Sequence, residues 1–428
     1  MLRKILQFIL KILARLVLRK YKPVIVAVTG SVGKTSTKEA IYTILKNHFG
    51  EREVRRNQRN YNNEIGVPLT IFGLESGGKN LFIWCLRFLK VFWMLVFKQK
   101  YPKILVVEMG ADKPGDIEYL TNFIKPNISV ITAIGEVPVH VEFFESPQQL
   151  ALEKKKLIDV LDKEGIAVLN YDDPMVYQMG KDKKCKIITY GFSEGADVRA
   201  INYESRLANS ENSYVYGFTG FKAFFKGSLV PVKLNNVLGK HQIYPALAGI
   251  SVGLVFGLNL IEMSEALSRD YQTLPGRMKL IKGIKNTLII DDTYNAAPLS
   301  TSAAIKTLRE ISEQKQGSRT IAVLGDMLEL GRYAPEVHEE IGREAAEVVD
   351  YLLTVGERAR FIAEGAIKKG LAKDRLFSFC TSEEAGKFLQ GLLKENDIIL
   401  VKGSRAMKME KVVEEIMSEP EKAKTLLV

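Results

Sequence analysis

The sequence predicts an α/β protein of two successive units: first a mostly parallel sheet with a small antiparallel addition, then a second α/β unit. Three observations carry this. Apolar runs ending in glycine or acidic residues alternate with helical stretches, the rhythm of a parallel sheet with crossover helices. One such run, VIVAVTG at 24–30, leads through a glycine turn straight into the helical stretch TSTKEAIYTILKNHF. After a glycine and proline break at LPGR, residues 274–277, the rhythm begins again.

The elements follow in order. Residues 1–22 hold Arg3, Lys4, Lys11, Arg15, Arg19, Lys20 and Lys22 without an acid, seven of the eleven net positive charges of the chain. Leu2, Ile5, Leu6, Ile9, Ile12, Leu13, Leu16 and Val17 recur at helical spacing, so a basic amphipathic helix is expected. Two fates fit it: residues 2–19 lie on an anionic membrane surface, or Leu2, Ile5, Ile9 and Leu13 dock on the body near Trp84 and Phe88. Charges interrupt the apolar stretch and no small-residue cleavage site follows, which excludes a signal peptide, and no uncharged run is long enough to span a bilayer. Leu81 to Phe97 is apolar but broken by Arg87 and Lys90, as in a buried or interfacial helix.

KILVVEMG, ISVITAIG and IAVLNYDD supply the further strands of the first sheet. From about Val198 to Val237 the pattern alternates and turns aromatic, in SYVYGF and FKAFF, which predicts the antiparallel addition. NTLIIDDTY, TIAVLGDM, YLLTVG and DIILVKGS form the second series. The expected division is a helix over 1–22, a first α/β domain over 23–273 and a second domain over 274–428.

At 428 residues with 46% hydrophobic and 26% charged content, the chain is neither disordered nor fibrous. Cys85, Cys185 and Cys380 stand far apart with no partner at metal-ligand spacing, so neither a disulfide framework nor a zinc cluster is indicated and a reducing cytoplasm is expected. Beyond the first helix the net charge is too modest to point to nucleic acid.

The most specific motif is GSVGKTS, residues 30–36. Gly30 and Gly33 let the backbone N–H groups of this loop, Ser31 and Ser36 included, approach phosphate. Lys34 supplies a cation and Thr35 a hydroxyl for Mg²⁺. This is a short P-loop, with two residues between the glycines where the common form has four. Glu108 ends the strand predicted beside it, where a carboxylate holds Mg²⁺ directly or through water.

TGSVGKTS, RNYNNEIGVPLT, VVEMGADKPGDI, DDTYNAAPLS, GDMLELG and LVKGSR, in this order, resemble the motifs of the Mur ligases from about Val24 to Val413. The likeness is to the branch that adds a D-Ala-D-Ala dipeptide to a muramoyl tripeptide. It implies a Rossmann-like C-terminal domain and an ATP-dependent amide-bond ligase working through an acyl phosphate. It also implies ATP and Mg²⁺ as cofactors, and a muramoyl-peptide acceptor and D-Ala-D-Ala as partners of a monomer.

By the same resemblance, His140 in VPVHVEFF belongs to a second magnesium site. Lys154 in SPQQLALEK matches a lysine that is carbamylated, with Lys155 and Lys156 left open as alternatives. Asn60, Asn62, Asn63 and Glu64 face the muramoyl peptide. His241, Asp292, Tyr294 and Asn295 contact the nucleotide, and Arg277 reaches across to its phosphates. Lys402 and Ser404, with Arg405, steady substrate or simply cap a turn.

Three departures from the pattern stand out. Gln242 and Pro245 replace asparagines beside His241, and Ala297 replaces the asparagine before the proline. The P-loop at residue 30 leaves no room ahead of it for the separate uridine-binding domain of that branch. Two other readings therefore remain open, a folylpolyglutamate-type ligase and a non-ligating nucleotide-binding partner subunit.

Overall fold

The computed structural model describes residues 2–58, 61–207, 217–315 and 317–428, with only the backbone at Leu2. Asn60, and residues 213–216 of the SYVYGF pattern, lie outside the described residues.

Nine strands form the first sheet: β1 (Val24–Thr29), β2 (Val54–Arg56), β3 (Ile104–Glu108), β4 (Ile128–Ile131), β5 (Ile166–Asn170), β6 (Lys186–Gly191), β7 (Val198–Leu207), β8 (Gly217–Phe225) and β9 (Ser228–Asn235). Their spatial order is β2-β3-β1-β4-β5-β6-β7-β8-β9. Strands β1 to β7 pair in parallel, while β8 and β9 return antiparallel as the alternating pattern predicts. The glycine-ended runs are short, β-branched and buried on both faces, which is what a sheet covered by helices on each side requires.

One face is covered by α1 (Leu2–Tyr21), α3 (Gly66–Phe72), α4 (Leu81–Val96), α5 (Asp116–Thr121) and α6 (Pro147–Asp159), and the short α7 (Pro174–Gln178) lies beyond. The other face is covered by α2 (Lys34–Phe49), α8 (Ile243–Val255) and α9 (Leu260–Asp270). The second sheet follows with β10 (Lys279–Lys282), β11 (Leu288–Asp292), β12 (Thr320–Gly325), β13 (Tyr351–Val355), β14 (Leu376–Phe379) and β15 (Ile398–Lys402). Its order is β10-β11-β15-β12-β13-β14, all parallel except the β10–β11 pair.

The first helix departs from expectation. Its buried face is Leu10, Ala14 and Val17, fully inside the core, with Leu6, Leu13 and Leu18 beside them. Ile5, Phe8, Ile9, Ile12 and Leu16 point outward instead. Ile5 and Ile9, expected in the docking stripe, are therefore exposed. The reason is physical: apolar residues occupy two faces of this helix, and periodicity alone does not say which one meets the body. Lys20 fixes the register by donating from Nζ to the carbonyls of Met94, Leu95 and Phe97, each at 2.9 Å, which satisfies the free C-terminal carbonyls of α4.

Gly66, at the start of α3, packs so tightly that a Cβ there would lie 2.3 Å from Tyr61 Cα. Gly66→Ala should therefore cost about 1–3 kcal/mol through overpacking, seen as a lowered urea midpoint of the first transition. An unchanged midpoint would mean that the 61–66 loop moves aside freely.

Candidate functional site

The P-loop is held open by strand β4 and its exit. Ser31 N and Val32 N donate to Ala133 O at 2.7 and 3.0 Å, and Thr132 Oγ1 donates to Val32 O at 2.6 Å. Gly30 sits at φ 147°, and a Cβ there would collide with Thr132 Oγ1 at 1.9 Å, so only glycine fits. Gly33, at φ 85°, turns the chain into α2 and leaves the first N–H groups of that helix free for an anion. Lys34 is partly buried, and its Nζ donates to Ser31 O at 3.2 Å. Burial lowers the pKa of this lysine, Glu108 opposes the shift and Arg277 adds to it.

Glu108 closes β3 next to the loop. Asn62 Nδ2 donates to Glu108 Oε1 at 3.3 Å, and Lys38 Nζ lies 3.8 Å from Glu108 Oε2. Asn57 braces the same residue through its backbone, donating from Nδ2 to Glu108 O at 3.3 Å. Asn63 and Glu64 lie differently. Asn63 Oδ1 caps the start of α3, accepting from Ile65 N at 3.2 Å and Gly66 N at 3.0 Å, and Glu64 Oε1 accepts from Gln7 Nε2 of α1 at 3.2 Å.

Among the three lysines of α6, Lys154 alone is fully buried, at 1% exposure. Lys156 instead pairs with Glu118 at 2.7 Å and Glu153 at 2.9 Å. Burial, reinforced by Lys34, pushes the Lys154 amine well below the usual lysine range. His140, at φ 71°, is set between carboxylates, its Nδ1 2.5 Å from Glu329 Oε2 and its Nε2 3.5 Å from Asp112 Oδ1. Glu329 belongs to the second domain, so this contact crosses the cleft.

A second crossing comes from the linker into β10. Arg277 Nη2 donates to Thr35 Oγ1 at 3.0 Å, and its guanidinium stacks 3.9 Å from the Tyr294 ring centre. Asp292 Oδ2 accepts from the buried Lys402 Nζ at 2.5 Å, and the same amine donates to Asn295 O at 2.9 Å. Lys402 thus anchors the 292–295 turn. Ser404 Oγ accepts from Leu328 N at 2.9 Å and so holds the loop that carries Glu329. Arg405 lies within 3.3 Å of Glu410. His241 contacts Gln242 at 3.1 Å, and its pKa is pushed down to about 4 by burial, against the pull of nearby Asp292.

Two family models match: the Mur ligase middle domain over residues 28–84 and 91–253, and the Mur ligase glutamate ligase domain over 276–405. The chain belongs to the Mur ligase family. The UDP-N-acetylmuramoyl-tripeptide–D-alanyl-D-alanine ligase of Bacillus subtilis is 30% identical over 410 residues, covering 95% of this chain and 79% of that protein. A MurF ligase from Thermotoga maritima, solved in complex with ADP, superposes with a TM-score of 0.77 at 28% identity, covering 97% of this chain and 84% of its own. MurF from Acinetobacter baumannii gives 0.76 at 26% identity, with 95% and 79% covered.

Within this Mur ligase, Thr35 and Glu108 offer oxygen donors of the kind Mg²⁺ takes. That ion keeps several waters and draws the rest of its shell from phosphates. It therefore needs no group of three acidic, histidine or cysteine side chains, and none forms among the described residues. Sequence reasoning missed Lys38, buried between Glu39 and Glu108, although it lies one helical turn beyond Lys34. It also passed over Asn57, Asp112 and Glu329, the last two inside motifs already noted. At Ala297, where an asparagine was expected, Ser300 Oγ caps the following helix by accepting from Ala297 N at 3.1 Å.

Arg277→Lys keeps the charge but loses the flat stack on Tyr294 and the forked donors. We expect kcat/KM for ATP to fall roughly a hundredfold, read by steady-state kinetics. An unchanged value would remove Arg277 from the phosphate contact.

Proposed function

We propose that this chain is an ATP-dependent, ADP-forming ligase that adds D-alanyl-D-alanine to a muramoyl-tripeptide acceptor in peptidoglycan synthesis, with ATP and Mg²⁺ as cofactors. The observation that carries it is the Arg277–Thr35 hydrogen bond, which joins the linker of the second domain to the P-loop of the first and brings the cationic groups of both to one cleft.

In this reading Lys34, Arg277 and the free N–H groups of the P-loop neutralise the nucleotide phosphates. The acceptor carboxylate oxygen bonds to the γ-phosphorus as the bond to ADP breaks. The dipeptide amine then attacks the acyl carbon, loses a proton, and inorganic phosphate leaves. Thr35 and Glu108 would hold Mg²⁺, which when bound would supply charge neutralisation to the phosphoryl transfer. Lys154, as a carbamate, and His140 would hold a second such ion. Asn62 sits beside Glu108 to orient the acceptor, and His241, Asp292, Tyr294 and Asn295 border the nucleotide.

The test is phosphate release with each substrate supplied alone and together, with the amide product read by mass spectrometry. Release that needs both muramoyl tripeptide and D-Ala-D-Ala supports the reading. Nucleotide binding without acceptor-dependent turnover would leave a partner subunit, and turnover with glutamate on a folate acceptor would leave the polyglutamate branch. We further place the chain in the cytoplasm as a monomer, with residues 2–19 in peripheral contact with anionic membrane, supported by the outward side chains Phe8 and Ile12.

A further inference from the structure

Helix α4 carries an apolar surface that the ligase reaction does not use. Leu81, Phe82, Leu86, Leu89, Phe92, Trp93 and Val96 are all at least half exposed, and from Phe82 through Leu86, Leu89 and Trp93 to Val96 they follow one helical stripe. The opposite side of the helix is buried through Trp84, Val91 and Met94. Isolated exposed apolar residues are ordinary, but an unbroken stripe along a whole helix is not.

A second stripe lies on α1, which packs against α4: Ile5, Phe8, Ile9, Ile12 and Leu16. The two helices are locked together where they end, by the three carbonyl contacts of Lys20 and by Tyr21 OH, which donates to Met94 O at 2.9 Å.

The segments that carry both stripes hold charge of one sign. No acid occurs in residues 1–38 or in residues 76–107. Arg3, Lys4, Arg19, Lys79, Lys90, Lys98 and Lys100 are exposed there. Apolar stripes on segments that carry cations and no acid match the acyl boundary and the anionic headgroups of a bilayer, and neither helix is long and apolar enough to cross one.

We propose that α1 and α4 form a single two-helix face that seats the protein on an anionic lipid bilayer, with α4 entering the acyl boundary. This rests on the peripheral contact already assigned to residues 2–19 and adds α4 as the deeper element.

The chain's two tryptophans make the test direct, because Trp84 is buried and Trp93 is exposed. With phosphatidylglycerol vesicles, the emission of the full chain should shift to the blue and be quenched by bromine-labelled acyl chains. Phe82→Glu with Phe92→Glu should weaken vesicle sedimentation at least about tenfold while acceptor-dependent phosphate release without lipid stays unchanged. Phosphatidylcholine vesicles should bind less.

If Phe8→Glu with Ile12→Glu abolishes sedimentation and the α4 pair does not, α4 is not part of the seat, although the contact through residues 2–19 stands. If neither pair matters, both fail. A concentration-dependent dimer that the α4 pair converts to monomer would show that the face joins two copies of this chain and would overturn the proposal. Equal binding to both lipids would overturn the role of headgroup charge.

Discussion

Lys34→Ala should lower acceptor-dependent ADP formation by on the order of 10³-fold or more, with the fold kept. Removing a cation that faces the transferring phosphoryl group withdraws stabilisation where charge is spread over its oxygens, and a single cationic clamp is worth roughly 10³–10⁵ in rate. Lys34 is flanked by Ser31 O and Glu108 at the mouth of the P-loop, and alanine there offers no donor or charge to a phosphate. Its side chain is only partly buried and contributes to no apolar cluster, which leaves thermal stability close to that of the parent. Single-turnover kinetics with saturating ATP measure the loss directly. A rate within a few fold of the parent would remove the P-loop from the chemistry.

Lys154→Ala should lose activity to a similar degree, and a short carboxylic acid such as acetate should restore part of it. The argument starts from burial. A lysine held out of water favours its neutral amine, and the neighbouring Lys34 pushes the same way. Carbon dioxide adds only to the unprotonated amine: nitrogen bonds to carbon, a proton leaves, and the neutral amine becomes an anionic carbamate. The lowered pKa extends the reactive form to lower pH, so restoration of the parent enzyme by bicarbonate after CO₂ depletion should persist to lower pH than an exposed lysine would allow. Alanine leaves a cavity of about the length of the lost side chain, which acetate fills with its carboxylate where the carbamate would stand. Loss without rescue by acetate, together with indifference of the parent to CO₂ removal, would reduce Lys154 to a packing role.

The P-loop was legible from residue types alone because its geometry admits nothing else: at Gly30 a Cβ meets Thr132, and at Gly33 the backbone turns left-handed. The strand rhythm was legible for a similar reason, since in runs such as Ile104–Glu108 every position is buried and the polar residue, Glu108, stands only at the end. Sequence left three lysines in α6 as candidates, and depth in the protein, which spacing does not encode, separates Lys154 from Lys155 and Lys156. The partners of His140 were illegible for a different reason. Asp112 and Glu329 reach it from distant parts of the chain, and Glu329 comes from the other domain. The inner face of α1 escaped because a helix apolar on two sides gives periodicity no single direction to report.

The burial of Leu10, Ala14 and Val17 makes α1 a bracket instead of a leash. A flexible linker would let the body tumble and meet its surroundings at every angle. A helix whose inner side is continuous with the core transmits its own orientation to the whole first domain. Gln7 carries that rigidity further, because its bond to Glu64 ties the bracket to the loop that leads into α3 beside Asn62. Whatever holds the outer side of α1 therefore also sets the orientation of this loop.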